Sequence, residues 1–155
     1  MRGKQAPKRH ILPDPKYNSP VIAKLINSIM YDGKKSVAQK VVYDAMQIIE
    51  EKTKKPAIEV FTEALKNVSP MLEVKSKRVG GANYQIPIQV RAERRTQLAF
   101  RWLLTAARSK KGKPMAQKLS SEILAAAENQ GEAVKKKQDV QRMAEANRAF
   151  AHFAR

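Results

Sequence analysis

Residues 75–113 carry Lys75, Lys77, Arg78, Arg91, Arg94, Arg95, Arg101, Arg108, Lys110, Lys111 and Lys113, opposed only by Glu93. Ordinary surface helices interleave both signs, so a run this one-sided is poorly explained as a face that merely keeps the protein soluble. Arginine predominates over residues 91–108. Its planar guanidinium fork makes paired hydrogen bonds to phosphate oxygens and stacks on bases, where lysine offers a point charge. The chemistry within reach of these residues is recognition of a polyanion. Within the run, Val79-Gly80-Gly81-Ala82-Asn83 sets a glycine pair between Lys77 and Arg78 on one side and Tyr84 on the other. Two glycines answer a turn that needs positive φ. A tip without bulky side chains can also approach a sugar-phosphate backbone closely, with Tyr84 as a ring for stacking.

Catalytic chemistry has little to work with. The chain has no cysteine, which removes disulfides, thiolate metal sites and thiol nucleophiles. His10 lies in a basic segment and His152 at the far end, with no obvious carboxylate pairing for either. Gly33-Lys34-Lys35 lacks the earlier glycine and the following hydroxyl of a phosphate-binding loop. It reads as a helix end, with its cations on the negative pole of the dipole. No HExxH, GxGxxG or acidic cluster occurs. No catalytic residue, no metal site and no cofactor is therefore expected.

The whole chain repeats the charge message. Its 155 residues balance 31 Lys and Arg against 14 Asp and Glu, a formal charge of +17. That field opposes a compact state unless an anionic partner absorbs it. Nucleic acid, an anionic membrane and an acidic protein all qualify, and the distribution of charge has to decide. No apolar run approaches the roughly 20 residues of a membrane span, and no signal-peptide core is present, so a cytosol-like compartment is expected.

Periodicity supplies the elements that must position these residues. Residues 1–18 mix Arg2, Lys4, Lys8, Arg9 and Lys16 with three prolines and show no apolar period, which describes an extended basic arm. Ser19-Pro20 opens a first helix striped by Val21, Ile22, Leu25, Ile26, Ile29 and Met30 and stopping at Gly33. A second, from about Ser36, is striped by Val37, Val41, Val42, Ala45, Ile48 and Ile49. A third, from Pro56, is striped by Ile58, Phe61, Leu65 and Val68 and closed by Ser69-Pro70. The period then drops to two: Leu72 and Val74 alternate with polar residues, as do Tyr84, Ile86, Ile88 and Val90. This predicts a β-ribbon over residues 72–90 turning at Gly80-Gly81, with Pro87 on an edge.

Helix four, over residues 92–109, has two faces. At roughly 100° per residue, Ala99, Trp102, Leu103 and Ala106 centre opposite Arg94, Arg101 and Arg108. On this phase Trp102 reads as a core residue, with stacking on a base as the alternative. Pro114 starts a fifth helix with Met115, Leu119, Ile123 and Ala127 inward. After Gly131 a last long helix, with its tail filling residues 132–155, carries Ala133, Val140, Met143, Ala144, Asn147 and Ala151 along one side and ends in Arg148, Phe150, His152, Phe153 and Arg155. The fold class is mainly α: a single-domain bundle of about six helices, residues 1–155, with a two-stranded ribbon projecting between helices three and four.

Arg9-His10-Ile11-Leu12-Pro13-Asp14-Pro15-Lys16-Tyr17, Gly33-Lys34-Lys35 with Val41, Val42 and Ala45, the hairpin through Val79-Gly80-Gly81-Ala82-Asn83-Tyr84-Gln85-Ile86-Pro87, and Arg94-Arg95 with Ala99-Phe100-Arg101-Trp102-Leu103 follow one another along the chain. Together they resemble the bacterial-type family of ribosomal protein seven of the small subunit, over essentially the whole length. The resemblance implies a cytoplasmic, non-enzymatic, monomeric component of the small subunit that binds 16S ribosomal RNA first and nucleates the subunit head. It implies a place at the subunit interface near the decoding region and the tRNA exit site. Arg2, Lys4, Lys8, Arg9, Lys34, Lys35, Arg94, Arg95, Arg101 and Arg108 would hold ribosomal RNA junctions, joined on the charge map by Lys75, Arg91, Lys110, Lys111 and Lys113. Residues 77–84 would point toward exit-site tRNA and mRNA. Arg148, Phe150, His152, Phe153 and Arg155 would meet RNA, tRNA or a neighbour, with small-subunit proteins nine and eleven as implied partners.

Two other classes fit less well. A DNA-architectural arm needs a proline wedge near the ribbon tip, whereas Pro87 lies well down the second strand. A membrane-surface helix needs a strong Trp, Phe and Leu face, and helix four is too alanine-rich.

Overall fold

The computed structural model describes residues 3, 6, 7 and 9–154. Arg2, Lys4, Lys8 and Arg155 lie outside the described residues. Six α-helices and a two-stranded ribbon follow in the order α1 (Pro20–Ile29), α2 (Lys35–Thr53), α3 (Ala57–Val68), β1 (Leu72–Val79), β2 (Ala82–Gln89), α4 (Ala92–Ser109), α5 (Met115–Ala127) and α6 (Glu132–Ala146). A 3-10 segment, Arg148–Ala154, closes the chain. The ribbon sits between the third and fourth helices, and α4 spans the residues its pattern predicted.

One hydrophobic cluster joins all six helices. In α1 the buried side chains are Ile22, Leu25, Ile26 and Ile29, the i, i+3, i+4, i+7 stripe of a helix seated on a core. Proline stands at its first position, where the missing amide would have no partner in any case. Phe61 of α3 stacks on Phe100 of α4, their centroids 6.5 Å apart.

Three sequence readings change. First, α1 does not run to Gly33: Met30 leaves the helix, and Asp32 and Gly33 turn through left-handed backbone at φ 48° and 71°. Lys34 and Lys35 therefore open α2 instead of closing α1. Cations at a helix N-terminus face the positive pole, which costs roughly 0.3–1 kcal/mol at low salt. Their placement works against the helix.

Second, the inward stripes of α2 and α3 are rotated by about one residue. Ala38 and Met46 are buried in α2 while Val37 is 58% exposed. Ala57, Val60 and Ala64 are buried in α3 while Ile58 faces out. Third, α6 ends at Ala146, and the residues after it form the separate 3-10 segment; Met143 is exposed.

The ribbon pairs Leu72 with Gln89 at its base and Val79 with Ala82 at its tip. Gly80 and Gly81 take φ 58° and 91°. Positive φ at both central residues makes the tight turn whose twist matches that of the strands. Pro87 pairs with Val74 in a two-stranded sheet, where every strand is an edge.

A buried acid fixes the junction of α5 and α6. Glu122, 1% exposed, accepts a hydrogen bond from the Ala133 amide at 3.0 Å and an ion pair from Lys110 Nζ at 2.7 Å. Its carboxylate thus caps α6 from a neighbouring helix, satisfying an amide that has no partner inside α6. Gly131, φ +92°, precedes that helix, and a Cβ there would lie 2.9 Å from Glu122 Oε1. Gly131→Ala should lower stability by about 1–3 kcal/mol through backbone strain and further through the carboxylate it displaces, read as a lower urea midpoint. An unaltered midpoint would mean that the junction relaxes freely.

A second buried acid anchors the arm. Asp14 accepts hydrogen bonds from the amides of Lys16 and Tyr17 and from the Tyr43 hydroxyl of α2 at 2.7 Å. The Tyr17 and Tyr43 rings meet edge to face, 6.0 Å apart. Burial, then the hydrogen bond to Asp14, push the Tyr43 phenol up to about 12 from 10.0. The folded state thus favours neutral Tyr43, and its contribution to stability, full below pH 10, is lost as pH rises through 12. In a spectrophotometric titration one of the four tyrosines should ionise near 12, and Asp14→Asn should move that midpoint down. No movement would remove Asp14 from the cause.

Candidate nucleic-acid interface

The apolar face of α4 buries Leu98, Ala99, Phe100, Trp102, Leu103, Leu104, Ala106 and Ala107. Arg101 and Arg108 stand exposed on the other side. Arg101 makes no hydrogen bond or ion pair with any described residue, so its guanidinium has its full donor set for an outside anion. Arg108 lies over the Tyr31 ring at 5.1 Å and donates to the Ile29 carbonyl at 3.4 Å. That contact ties the turn between α1 and α2 to α4. Exposed Lys34 and Lys35 follow in the same turn and enlarge the cationic surface.

Several other predicted residues are occupied within the protein. Arg94 Nε donates to Glu73 Oε2 at 3.3 Å, and Lys75 pairs with the same carboxylate at 3.3 Å. Arg95 Nε donates to the Val90 carbonyl at 3.0 Å, clamping the base of the ribbon to α4. Lys110 pairs with Glu122. Sequence spacing showed one acid among the cations of residues 75–113, whereas the fold brings in two more from outside that run. Such partly exposed pairs are worth at most about 1 kcal/mol, so Arg94 and Lys75 can still turn to a phosphate. Arg91, Lys111 and Lys113 are exposed, the last two flanking Gly112. Arg9 is exposed on the last stretch of the arm before its Asp14 anchor.

The ribbon and the tail come together. The Tyr84 ring lies 5.1 Å from Phe150 and 5.5 Å from Phe153, and the two phenylalanines stack at 6.4 Å. Lys77 Nζ donates to the Phe153 carbonyl at 2.9 Å, and the His152 ring leans on Phe153 at 4.1 Å. The Tyr84 ring, read from sequence as open to bases, is half covered by the tail. What remains outermost is Arg78, Gly80, Gly81, Ala82 and Asn83, all exposed, with Val79 half-buried beside them. Arg148 is exposed at the start of the tail.

Sequence reasoning passed over Tyr31, 68% exposed in the turn beside Asp32-Gly33-Lys34-Lys35. An aromatic off the apolar stripe of α1 and next to a glycine-lysine turn was the available signal. Lys24, Asn27 and Gln97, on the facing sides of α1 and α4, carried no signal that spacing alone could separate from solvated surface.

Among the described residues no cluster of His, Asp or Glu is placed to hold a metal ion, and no helix is long and apolar enough to cross a membrane.

Comparison with known proteins identifies the family. The family described as ribosomal protein S7p/S5e matches residues 1–148. The small ribosomal subunit protein uS7 of Thermotoga maritima is 60% identical over 153 residues, 99% of either chain. That of Clostridium perfringens is 60% identical over 146 residues, 94% of either chain. With a whole-chain match of this kind on a helical body and inserted ribbon, the chain belongs to the ribosomal protein S7p/S5e family.

Proposed function

We propose that the protein is a ribosomal RNA-binding component of the small subunit that joins 16S RNA early, organises the subunit head, and turns its ribbon tip toward exit-site tRNA and mRNA. As a member of its family it is a structural, non-enzymatic protein of the small ribosomal subunit, acting in translation in the cytoplasm. The observation that carries the RNA reading is the cationic surface of α4 with the adjoining turn. Arg101, Arg108, Lys34 and Lys35 ride on elements whose other faces are locked into one core.

RNA junctions present phosphate arrays in a fixed shape, because the major groove of an A-form helix is too deep and narrow to read. Cations fixed on a rigid body suit such a target, with affinity coming from charge and selectivity from geometry. Lys111, Lys113, Arg91 and the Arg9 arm extend the same surface. Neighbouring small-subunit proteins, nine and eleven among them, and the tail residues Arg148, Phe150, His152 and Phe153 belong to the same reading. The protein works there as a single copy, without a membrane.

Arg101→Ala with Arg108→Ala should weaken binding to a 16S head-domain transcript and flatten the log-log salt slope by roughly 1–2 units, with the thermal transition retained. An unchanged slope removes α4 from the interface, and equal affinity for duplex DNA at the same salt removes the RNA reading.

Replacing residues 78–83 by Asn-Gly would keep a two-residue turn closing on the Lys77–Tyr84 pair. This shortened ribbon should leave transcript affinity intact and reduce exit-site tRNA occupancy of reconstituted subunits. Failed head assembly instead would place the tip on ribosomal RNA.

A further inference from the structure

Tyr31 stands in the turn between α1 and α2 with 68% of its surface exposed, outside the core cluster. We infer that its ring is a stacking platform for one unpaired base of the RNA, with Lys34, Lys35 and Arg108 taking the neighbouring phosphates. The inference rests on the RNA-binding reading above and adds a base contact to it.

Two contacts hold the residue in place. The Tyr31 carbonyl accepts the Lys34 amide at 2.9 Å across Asp32 and Gly33, whose φ of 48° and 71° are both positive. That is the pattern of a tight type I′ turn. Over one face of the ring lies the Arg108 guanidinium at 5.1 Å, itself tied to the Ile29 carbonyl at 3.4 Å. A single exposed aromatic is by itself ordinary surface. One whose backbone is closed in a turn and whose ring is held by a cation has already given up much of the freedom that stacking would cost. The face away from Arg108 is open, as the exposure of the residue requires.

The surroundings select a nucleotide. The turn brings the Cα atoms of Tyr31 and Lys34 within about 7 Å of each other, and Lys35 follows, exposed like Lys34 and Arg108. Asp32, inside the turn, is the one acid among these residues, so three cations against one carboxylate leave the rim of the ring positive. Arg108 also shares a hollow of about 470 Å³ with Arg101, and no acid is among the described residues lining it. A strand with its base on Tyr31 therefore meets cations toward α2 and toward α4. An acidic peptide would satisfy those cations and leave the ring unused, whereas every base has a π-face to lay on it. A base inside a duplex has its faces covered by its neighbours, so the one on Tyr31 is unpaired and splayed out.

The test uses the full chain and the 16S head-domain transcript, comparing Tyr31→Leu, which keeps apolar bulk and every charge, with Tyr31→Phe, which keeps the ring. Tyr31→Leu should bind roughly 5- to 150-fold more weakly than Tyr31→Phe, with the same salt slope, because no cation is removed. The difference should persist when Arg108 is already replaced by alanine. In base-specific chemical footprinting, one base protected in the Tyr31→Phe complex should be reactive in the Tyr31→Leu complex. Equal affinity of the two variants, or one footprint for both, overturns the platform. So does a difference that vanishes in the Arg108→Ala background, which would make Tyr31 a support for Arg108 alone, or one seen only in assembled subunits, which would assign the ring to a protein neighbour. None of these results touches the RNA reading, which falls only if the wild-type protein fails to prefer the transcript over duplex DNA. Tyr31 lies outside the core cluster, so both variants should keep the thermal transition, and Tyr31→Ala supplies a second ring-free variant as a check.

Discussion

Burial of the apolar face of α4 is the constraint on which the cationic surface depends. Eight of its side chains are in the core, which fixes the rotation of the helix and so the direction of every arginine on it. Arg94, Arg101 and Arg108 are spaced by seven residues, about 10.5 Å along the axis. That is about one Debye length at physiological salt, so the cations can be displayed in a row without strongly opposing one another in solution. Close contact with phosphate, where water and counterions are displaced, restores their full effect.

The scarce acids are used at the joints between elements. Asp14 seats the arm on α2, Glu73 joins the ribbon to α4, and Glu122 joins the start of α6 to the residues just after α4. Each accepts from at least two donors, which is the condition for a carboxylate to be held in a partly or fully buried place. A chain whose cations outnumber its acids 31 to 14 has few such acceptors, and these three sit where separate elements must keep a fixed angle. The positive excess is left on the outward faces, and the geometry of those faces is set by the acids beneath.

Much of this was legible in the sequence. The bounds of α4, the core position of Trp102 and the turn at Gly80-Gly81 all came from local pattern, because a helix phase or a tight turn is decided by residues within a few positions of each other. Where local pattern failed, the deciding partner was far away. Whether Val37 or Ala38 faces inward depends on how α2 sits against α5, and the Val37 side chain alone cannot report it. The pairings of Arg94 with Glu73 and Lys110 with Glu122 span 21 and 12 positions, and Lys77 reaches 76 positions to Phe153. Gly33 has the left-handed backbone of a helix-ending glycine, but Met30 has already left α1 three residues earlier. The family resemblance located the cationic surfaces but not which cations are engaged within the fold.

A free two-stranded ribbon is marginally stable in water. Its tip also multiplies any angular error at its base: over a length of about 26 Å, a tilt of about 10° moves the tip by roughly 4 Å. That is more than the reach of a hydrogen bond. The rings of Phe150 and Phe153 against Tyr84, with the Lys77 bond beside them, turn a cantilever into a strut supported at two points. The last residues of the chain thereby set the aim of a loop some seventy positions earlier, and loss of the tail would blur that aim while every residue of the ribbon remained in place.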